Sequence, residues 1–392
     1  MFKVVMGHSN DPDSQLAIAE VIKQCRNSLE DSSPKAGILL AAIDFDHSLI
    51  LEQIFLVFPD LELIGGTTDG EISSILDFQQ DSLILMLFCA DSLEIRAGIG
   101  LNVSADPVIA AQQAVEKAKT GSCCAPRLCI TIPESLTVSS VSLLEGLKQT
   151  LGVEVPIFGG LAADQWRFQQ TYQFYQNQVL SDAIPILLFA GEFHYAHGAA
   201  SGWYPIGQKG RVTKVEKNVV YQIDDRSALT FYQRSLGGIP PSSEYPLAVF
   251  VENEMSLLMV HGQHFYMRAP SGVYDPETGS ITFFGDVPLN AIVQVTETSP
   301  DQILAASRLS MQQALDQYPG EEPTAALFFS CASRRQILGT RTEEEYQQVK
   351  SCLPYPLTSC GFYTNGEIAP LKPGGETCFH NETFITLLLG VR

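Results

Sequence analysis

Short, wholly apolar runs alternate along this chain with stretches whose apolar residues recur every three to four positions. The runs "AGILLAAI" (36–43), "RLCITI" (127–132) and "TAALFFSC" (324–331) predict short buried strands, and runs such as "LILMLF" are apolar on both strand faces, which predicts strands covered on both sides. The helical stretches ahead of them begin alike. "NDPDSQLAIAEVIKQC" offers Asp11 as N-cap and Pro12 at the first helical position, "ADPVIAAQQAVEKAK" offers Asp106 and Pro107, and "TSPDQILAASRLSMQQAL" offers Ser299 and Pro300, with Gln302 completing a capping box. Ile18, Ile22, Cys25 and Leu29 line one face of the first, and Ile303, Leu304, Met311 and Leu315 one face of the third. A second helix is predicted after each run, over 47–57, 139–151 and 342–353.

Each second helix leads into a glycine corner: "ELIGGTTDGEI", "VPIFGGLAADQ" and "PLTSCGFYTNGEI". From Pro12 to Gly66 is 54 positions, from Pro107 to Gly160 is 53, and from Pro300 to Gly361 is 61. An acid and another apolar strand follow each corner, so that Asp81, Asp182 and Glu382 match before "SLILMLF", "AIPILLF" and "TFITLLL". This order, met three times, implies a duplicated α/β unit. The fold class expected is mixed α/β, with repeated helix–strand–helix–strand units forming mixed sheets, helices outside, and a four-layer αββα stack as the leading arrangement. The stretch from about 192 to 298 breaks the period and is strand-rich, with one helical pattern in "RSALTFYQRSLGG". A boundary after "YQID" divides the chain into 1–224 and 225–392.

Composition narrows the function. Of 392 residues 45% are apolar, enough for large cores, and 44 acidic against 24 basic residues give a formal charge of −20. That balance argues against nucleic acid or an anionic membrane surface as partner. The start "MFKVVMGHS" has no signal-peptide pattern, and no apolar run approaches the roughly 18 residues of a membrane span, so a soluble cytoplasmic protein is expected. Nine cysteines at irregular spacing, several within apolar runs, predict no disulfides.

The corners are the first candidates for chemistry. Glycine lets the backbone adopt positive φ or be approached closely, either for a tight turn or for a ligand beyond a strand end. The ending Gly70-Glu71-Ile72 returns as Gly366-Glu367-Ile368, which suggests that the two corners face a shared feature. In "LFFSCASRRQILG", Cys331 ends a buried strand and two arginines follow. Cations there would lower a thiol pKa, but a thiol nucleophile also needs a base, and no histidine is near in sequence. Arg334 is alternatively suited to a ligand carboxylate. His194/His197 and His261/His264 are spaced three apart in strand context, which puts each pair on opposite faces and disfavours a shared metal; a lone axial haem ligand has no spacing rule.

The chain resembles the FIST proteins, with paired FIST N and FIST C domains. The resemblance rests on "IGGTTDGEIS", "PIFGGLAADQ", "TYQFYQNQVLSDAIPILLF" and "SGWYPIGQKGRVTKVEKNVVYQID", then "SALTFYQRSLG", "FFSCASRRQILG", "CGFYTNGEIAPL" and "HNETFITLLLG". It implies an intracellular sensory module that binds a small, amino-acid-like ligand and signals through a histidine kinase, a chemoreceptor or a diguanylate cyclase. One similar branch binds haem and reports nitric oxide, which makes His194, His197 and His261 haem-ligand candidates; no cofactor is otherwise expected. The family pattern Cys-x-Gly-Arg reads "CASRR" here, with Ser333 in place of the glycine. The expected ligand contacts are Gly65, Gly66, Thr67, Thr68, Glu71, Gly159, Gly160, Asp164, Cys331, Arg334, Phe362, Tyr363, Asn365 and Glu367. A non-catalytic sensor is expected, with a Cys331-dependent enzyme, a haem sensor and an interaction scaffold as rivals.

Overall fold

A computed structural model describes residues 2–250, 258–260, 263–353 and 355–391. His261 therefore lies outside the described residues. The predicted repeats are present as three six-stranded sheets of one plan. The first runs in the order Phe2–Ser9, Leu83–Ala90, Ala36–Ala41, Glu62–Thr67, Gln173–Tyr175, Gln178–Leu180. The second runs Leu93–Leu101, Ala183–Gly191, Pro126–Thr131, Ile157–Gly160, Glu367–Pro370, Thr377–His380. The third runs His194–Ala200, Phe384–Gly390, Ala325–Cys331, Thr358–Thr364, Glu71–Ser73, Asp77–Gln79. In each, only the central pair is parallel.

The last two strands of every sheet come from another repeat. The hairpin after the first corner completes the third sheet, the one after the second corner completes the first, and the one after the third corner completes the second. This cyclic exchange ties the repeats together through main-chain hydrogen bonds. Instead of two sheets stacked face to face, three sheets turn their inner faces to one core, which includes Met86, Phe88, Ile95, Phe158, Phe189, Leu327 and Phe329. Helices cover the outer faces: Ser14–Leu29 and His47–Val57 on the first, Pro107–Lys119 and Ser140–Leu151 on the second, Pro300–Asp316 and Thr342–Lys350 on the third.

The helix starts follow the caps read from sequence in two cases. Asp106 accepts from Ile109 N ahead of Pro107, and Ser299 accepts from Gln302 N ahead of Pro300. The first helix starts later than expected. Asp13, not Asp11, accepts from Leu16 N, and Asp11 instead accepts from Asp13 N in the turn before it.

The stretch that breaks the period forms a ten-stranded sheet with strands between Tyr204 and Glu297. Residues 223 and 226 pair within it, so the sequence boundary near 224 falls inside this sheet. Helix Ala228–Leu236 packs Phe231 and Tyr232 inward and ends at Gly237, whose φ of 65° is left-handed. Among the described residues no helix is long and apolar enough to cross a membrane.

Candidate functional site

The three corners meet and bond to one another in a ring. Thr67 O accepts from Ala163 N (2.8 Å), Leu161 O from Asn365 N (3.4 Å), and Tyr363 O from Asp69 N (2.9 Å). In return Thr67 N donates to Tyr172 O (2.9 Å), Leu161 N to Gly366 O (3.0 Å), and Tyr363 N to Gly70 O (2.9 Å). These six bonds occupy equivalent positions in the three repeats, so the corners define a pseudo-threefold axis.

The corner glycines serve this closure. A Cβ on Gly65 would lie 2.0 Å from Leu39 O, on Gly159 2.0 Å from Thr131 O, and on Gly361 2.4 Å from Phe328 O. Gly361 is thus the counterpart of Gly65 and Gly159, one position from the sequence match. Gly66 faces Ile132 and Gly160 faces Thr364. The space that was expected to admit a ligand at Gly65, Gly66, Gly159 and Gly160 is filled by the neighbouring chain.

Glu71 and Glu367 hold matching places but not a common cavity. Glu71 accepts from Thr68 Oγ1 and, at 2.5 Å, from Ser82 Oγ, while His8 sits between Ser82 Oγ (2.8 Å) and Ser73 Oγ (2.6 Å). Glu367 accepts from Thr383 N (3.1 Å) and Thr383 Oγ1 (2.7 Å), and Thr383 Oγ1 meets His380 Nδ1 at 2.5 Å. The expected shared feature is therefore a repeated carboxyl–hydroxyl–imidazole arrangement at two separate sheet junctions. Burial keeps both imidazoles neutral, lowering His8 to about 3 and His380 below its ordinary range.

Burial also pushes the Glu71 carboxyl from 4.5 up to about 8, against the lowering by Ser82 and Thr68. The folded protein then keeps a proton that the unfolded chain releases above pH 4.5, so stability present at low pH is lost as pH rises through that window to about 8. The loss from this one group is at most about 1.4 kcal/mol per pH unit. Glu71→Gln is expected to remove that slope, read from urea midpoints at intervals across the window.

Arg334, Phe362 and Tyr363 stand in the packing rather than at an opening. Arg334 is fully buried and spends its donors on Glu345 (3.0 and 2.8 Å), Ser307 Oγ (2.8 Å) and the carbonyls of Ile303, Ser201 and Glu382. Tyr363 donates to Glu345 Oε2 at 2.6 Å, and Phe362 lies in the core against Phe329.

Beside the ring a narrow pocket is lined by Cys331, Ala332, Ser333, Thr364, Asn365 and Asn381, and is covered by Trp166, Phe168 and Phe284. Trp166 and Phe168 belong to a short flap. Asp164, a predicted contact, lies beneath it and accepts from Phe168 N (2.9 Å), Gln169 N (2.6 Å) and Gln170 N (3.1 Å). Gln165, Trp166 and Phe168 are held at φ of 57°, 64° and 51°, a costly region for bulky side chains that clusters at functional sites. Phe168 stacks on Phe284 of the inserted sheet with centroids 5.8 Å apart, which joins the flap to the fourth sheet.

The pocket adjoins a set of buried polar atoms without hydrogen-bond partners: both Glu382 carboxyl oxygens, Glu367 Oε1 and His380 Nε2. Glu382 and Glu367 face Cys331, and the Ser333 hydroxyl lies beside the Glu382 carboxyl. Burial and these two carboxylates push the Cys331 thiol far up, the reverse of the activation expected from the adjacent arginines. Arg335 turns instead to the buried Asp69, at 2.8 Å, whose carboxyl burial raises to about 6. Sequence reasoning took Glu382 only as a mark of the repeat and passed over Trp166, Phe168, Phe284, His380 and Asn381. The acid shared by three corners was the one signal that pointed there.

A larger cavity of ≈ 430 Å³ lies elsewhere, between strand His194–Ala200, helix Pro300–Asp316 and residues 371–373. His197 lines it, buried, with its ring against Phe158 at 5.1 Å and its Nε2 unpartnered. His194 sits against Tyr318. Among the described residues no group of three or more His, Cys, Asp or Glu side chains is placed to hold a metal ion.

Two family models match this chain in sequence order. The FIST N domain matches residues 35–226 and the FIST C domain residues 228–370. An uncharacterised protein of Mycobacterium tuberculosis is 22% identical over 97% of this chain and 98% of its own length. An uncharacterised protein of Methanocaldococcus jannaschii is 29% identical over 33% of this chain and 24% of its own. Among solved structures, a cyanuric acid hydrolase from A. caulinodans aligns over 100% of this chain and 99% of that one, with a TM-score of 0.38 and 9% identity. A chorismatase aligns over 100% and 98%, with a TM-score of 0.38 and 8% identity. The chain belongs to the FIST family, whose domains are associated with signal transduction.

Proposed function

We propose that this protein is a non-catalytic sensor that binds a small amino-acid-like molecule in the pocket beneath the Trp166–Phe168 flap. The observation that carries this is the pocket's position. The second and third repeats and the inserted sheet meet there, beside the ring of hydrogen bonds that joins all three corners, so an occupant acts where the units are held together. As it stands the void is only ≈ 10 Å³, room for about one water. Binding therefore lifts the flap, and flap movement alters its contact with Phe284 and the fourth sheet. That shift is what a partner such as a histidine kinase, a chemoreceptor or a diguanylate cyclase reads in the cytoplasm. Calorimetry with the common amino acids is expected to give saturable binding that Trp166→Ala weakens at least about tenfold. No heat with any of them, together with native mass spectra showing nothing bound to freshly purified protein, contradicts this function.

The environment of Cys331 supports a non-catalytic role, because a thiol facing two carboxylates stays protonated and unreactive. On the native protein iodoacetamide is expected to label the exposed Cys123 and Cys124 first, and Cys331 only after unfolding. Rapid labelling of Cys331 revives the nucleophile reading.

One observation favours haem as a second reading. His197, lowered to about 4 by burial, is a neutral imidazole with a free Nε2 at the wall of the larger cavity. Haemin titration giving a Soret band that His197→Ala removes would place haem there; a colourless protein after reconstitution removes the idea.

A further inference from the structure

We infer that the ≈ 430 Å³ cavity between strand His194–Ala200 and helix Pro300–Asp316 binds an uncharged, largely apolar molecule carrying a hydroxyl or N–H group, which it donates to His197 Nε2. This goes beyond the function proposed above. The site is separate from the flap pocket, and its occupant is neither an amino acid nor haem.

The cavity is built into the fold. Its floor is the run Gly198 to Gly202, in which no side chain is larger than that of Ser201. Its facing wall is one side of the helix, where Ala305, Ala306, Leu309 and Gln313 recur at helical spacing. Strand and helix touch at two points: a Cβ on Gly198 would lie 1.9 Å from Ser310 O, and one on Gly202 2.6 Å from Gln302 O. Ala199 N also donates to Gln313 Oε1 at 3.1 Å. These contacts fix the two walls against each other, so the space exists before a ligand arrives. Its volume and its mainly apolar lining are those of a small-molecule site. Leu309 on the wall is 47% exposed, an apolar side chain that the protein itself leaves uncovered.

His197 supplies the selectivity. It lines the cavity, is buried, and bonds to the main-chain carbonyls of Pro370 and Lys372. Nε2 has no partner, so the ring proton sits on Nδ1 and Nε2 is left as an acceptor. A buried acceptor without a donor is costly and marks a missing partner. Burial lowers the imidazole to about 4, so at neutral pH the ring is uncharged. An anion finds no proton at Nε2. A cation finds no carboxylate: the chain carries 44 acidic residues, yet none is among the described lining residues, where the one charged side chain is that of Lys372. A neutral donor on an apolar body satisfies both the acceptor and the walls.

Calorimetry on the full chain near neutral pH compares 2-naphthol with 2-methylnaphthalene, which has a methyl group in place of the hydroxyl, and with 2-naphthoate. The expected result is saturable binding of 2-naphthol at least about tenfold tighter than of either. His197→Leu is expected to reduce 2-naphthol to the affinity of 2-methylnaphthalene. Ala305→Leu, at an exposed helix position that leaves His197 in place, fills the cavity and is expected to weaken both naphthalenes at least about tenfold. Equal binding of 2-naphthol and 2-methylnaphthalene by the unaltered protein, tighter binding of 2-naphthoate, or no binding of 2-naphthol overturns the inference without needing any variant to fold. So does 2-naphthol binding that a folded Ala305→Leu protein keeps in full. A Soret band with haemin that His197→Ala removes and 2-naphthol does not diminish assigns the cavity to haem and overturns it as well. Amino-acid binding at the flap is read separately, through Trp166→Ala, so this site and the sensor function fail independently.

Discussion

Replacing Arg334 by methionine is expected to destabilise the protein by about 3–5 kcal/mol, the largest effect of any single change considered. Arg334 and Glu345 are both fully buried, at 2.8 Å. Glu345 also accepts from Ser307 (2.8 Å), Ser330 (3.0 Å) and Tyr363 (2.6 Å). This cluster joins helix Pro300–Asp316, helix Thr342–Lys350, strand Ala325–Cys331 and strand Thr358–Thr364, and Arg334 reaches the Ser201 carbonyl at the entry to the inserted sheet. Methionine has similar length but no donors. It leaves the Glu345 carboxylate buried against hydroxyls alone, and an uncompensated buried charge is what makes breaking such a pair costly. The double change Arg334→Met with Glu345→Met removes both charges and is expected to recover much of the loss. Urea unfolding of the two single variants and the double variant gives the coupling directly. A double variant as unstable as the sum of the singles would show that the pair is not acting as a unit.

The second large effect falls on the corner that first drew attention. Gly65→Ala is expected to cost about 3 kcal/mol, at the upper end for overpacking. The added Cβ would meet the Leu39 carbonyl at 2.0 Å, and that oxygen belongs to the central parallel pair of the first sheet. A side chain can swing away from such a contact; a strand in the middle of a sheet cannot. Gly121→Ala is the matched control. Its φ of 75° is left-handed, but nothing lies within 4 Å of the new Cβ. It is expected to cost only about 1 kcal/mol, from backbone conformation alone. A similar loss at both positions in urea unfolding would mean that close strand approach is not the reason for glycine at the corner.

What the sequence revealed and what it hid divide along local and non-local lines. Asp106 with Pro107, and Ser299 with Pro300, announced their helices because capping is settled within four residues. The apolar runs announced their strands because burial on both faces needs only the run itself. The exchange of hairpins left no such mark. Glu71–Ser73 pairs with Thr358–Thr364 across most of the chain, and nothing in either segment names the other. For the same reason the glycines were read as room for a ligand when they are room for a neighbouring strand. Arg334 was read as a contact for a ligand carboxylate because Glu345, its partner, sits on a different helix. Cys331 was placed beside cations by its sequence neighbours and beside carboxylates by the fold. Glu382 was noticed as one of three matching acids, yet only the closed ring shows it buried, unpaired and next to a pocket. Asp164 was named as a contact; it holds the flap.

The central claim is that the pocket beneath the flap is the ligand site. Trp166 emission during titration with amino acids, in the unaltered protein and in Asp164→Ala, tests it most directly. The unaltered protein is expected to show a saturable change as the flap lifts. Asp164→Ala, which loses the three hydrogen bonds that close the flap, is expected to show a more exposed Trp166 before any ligand is added and a smaller change on titration. Ligand binding that is seen by calorimetry but leaves Trp166 emission unmoved in both proteins would contradict the claim and place the site elsewhere.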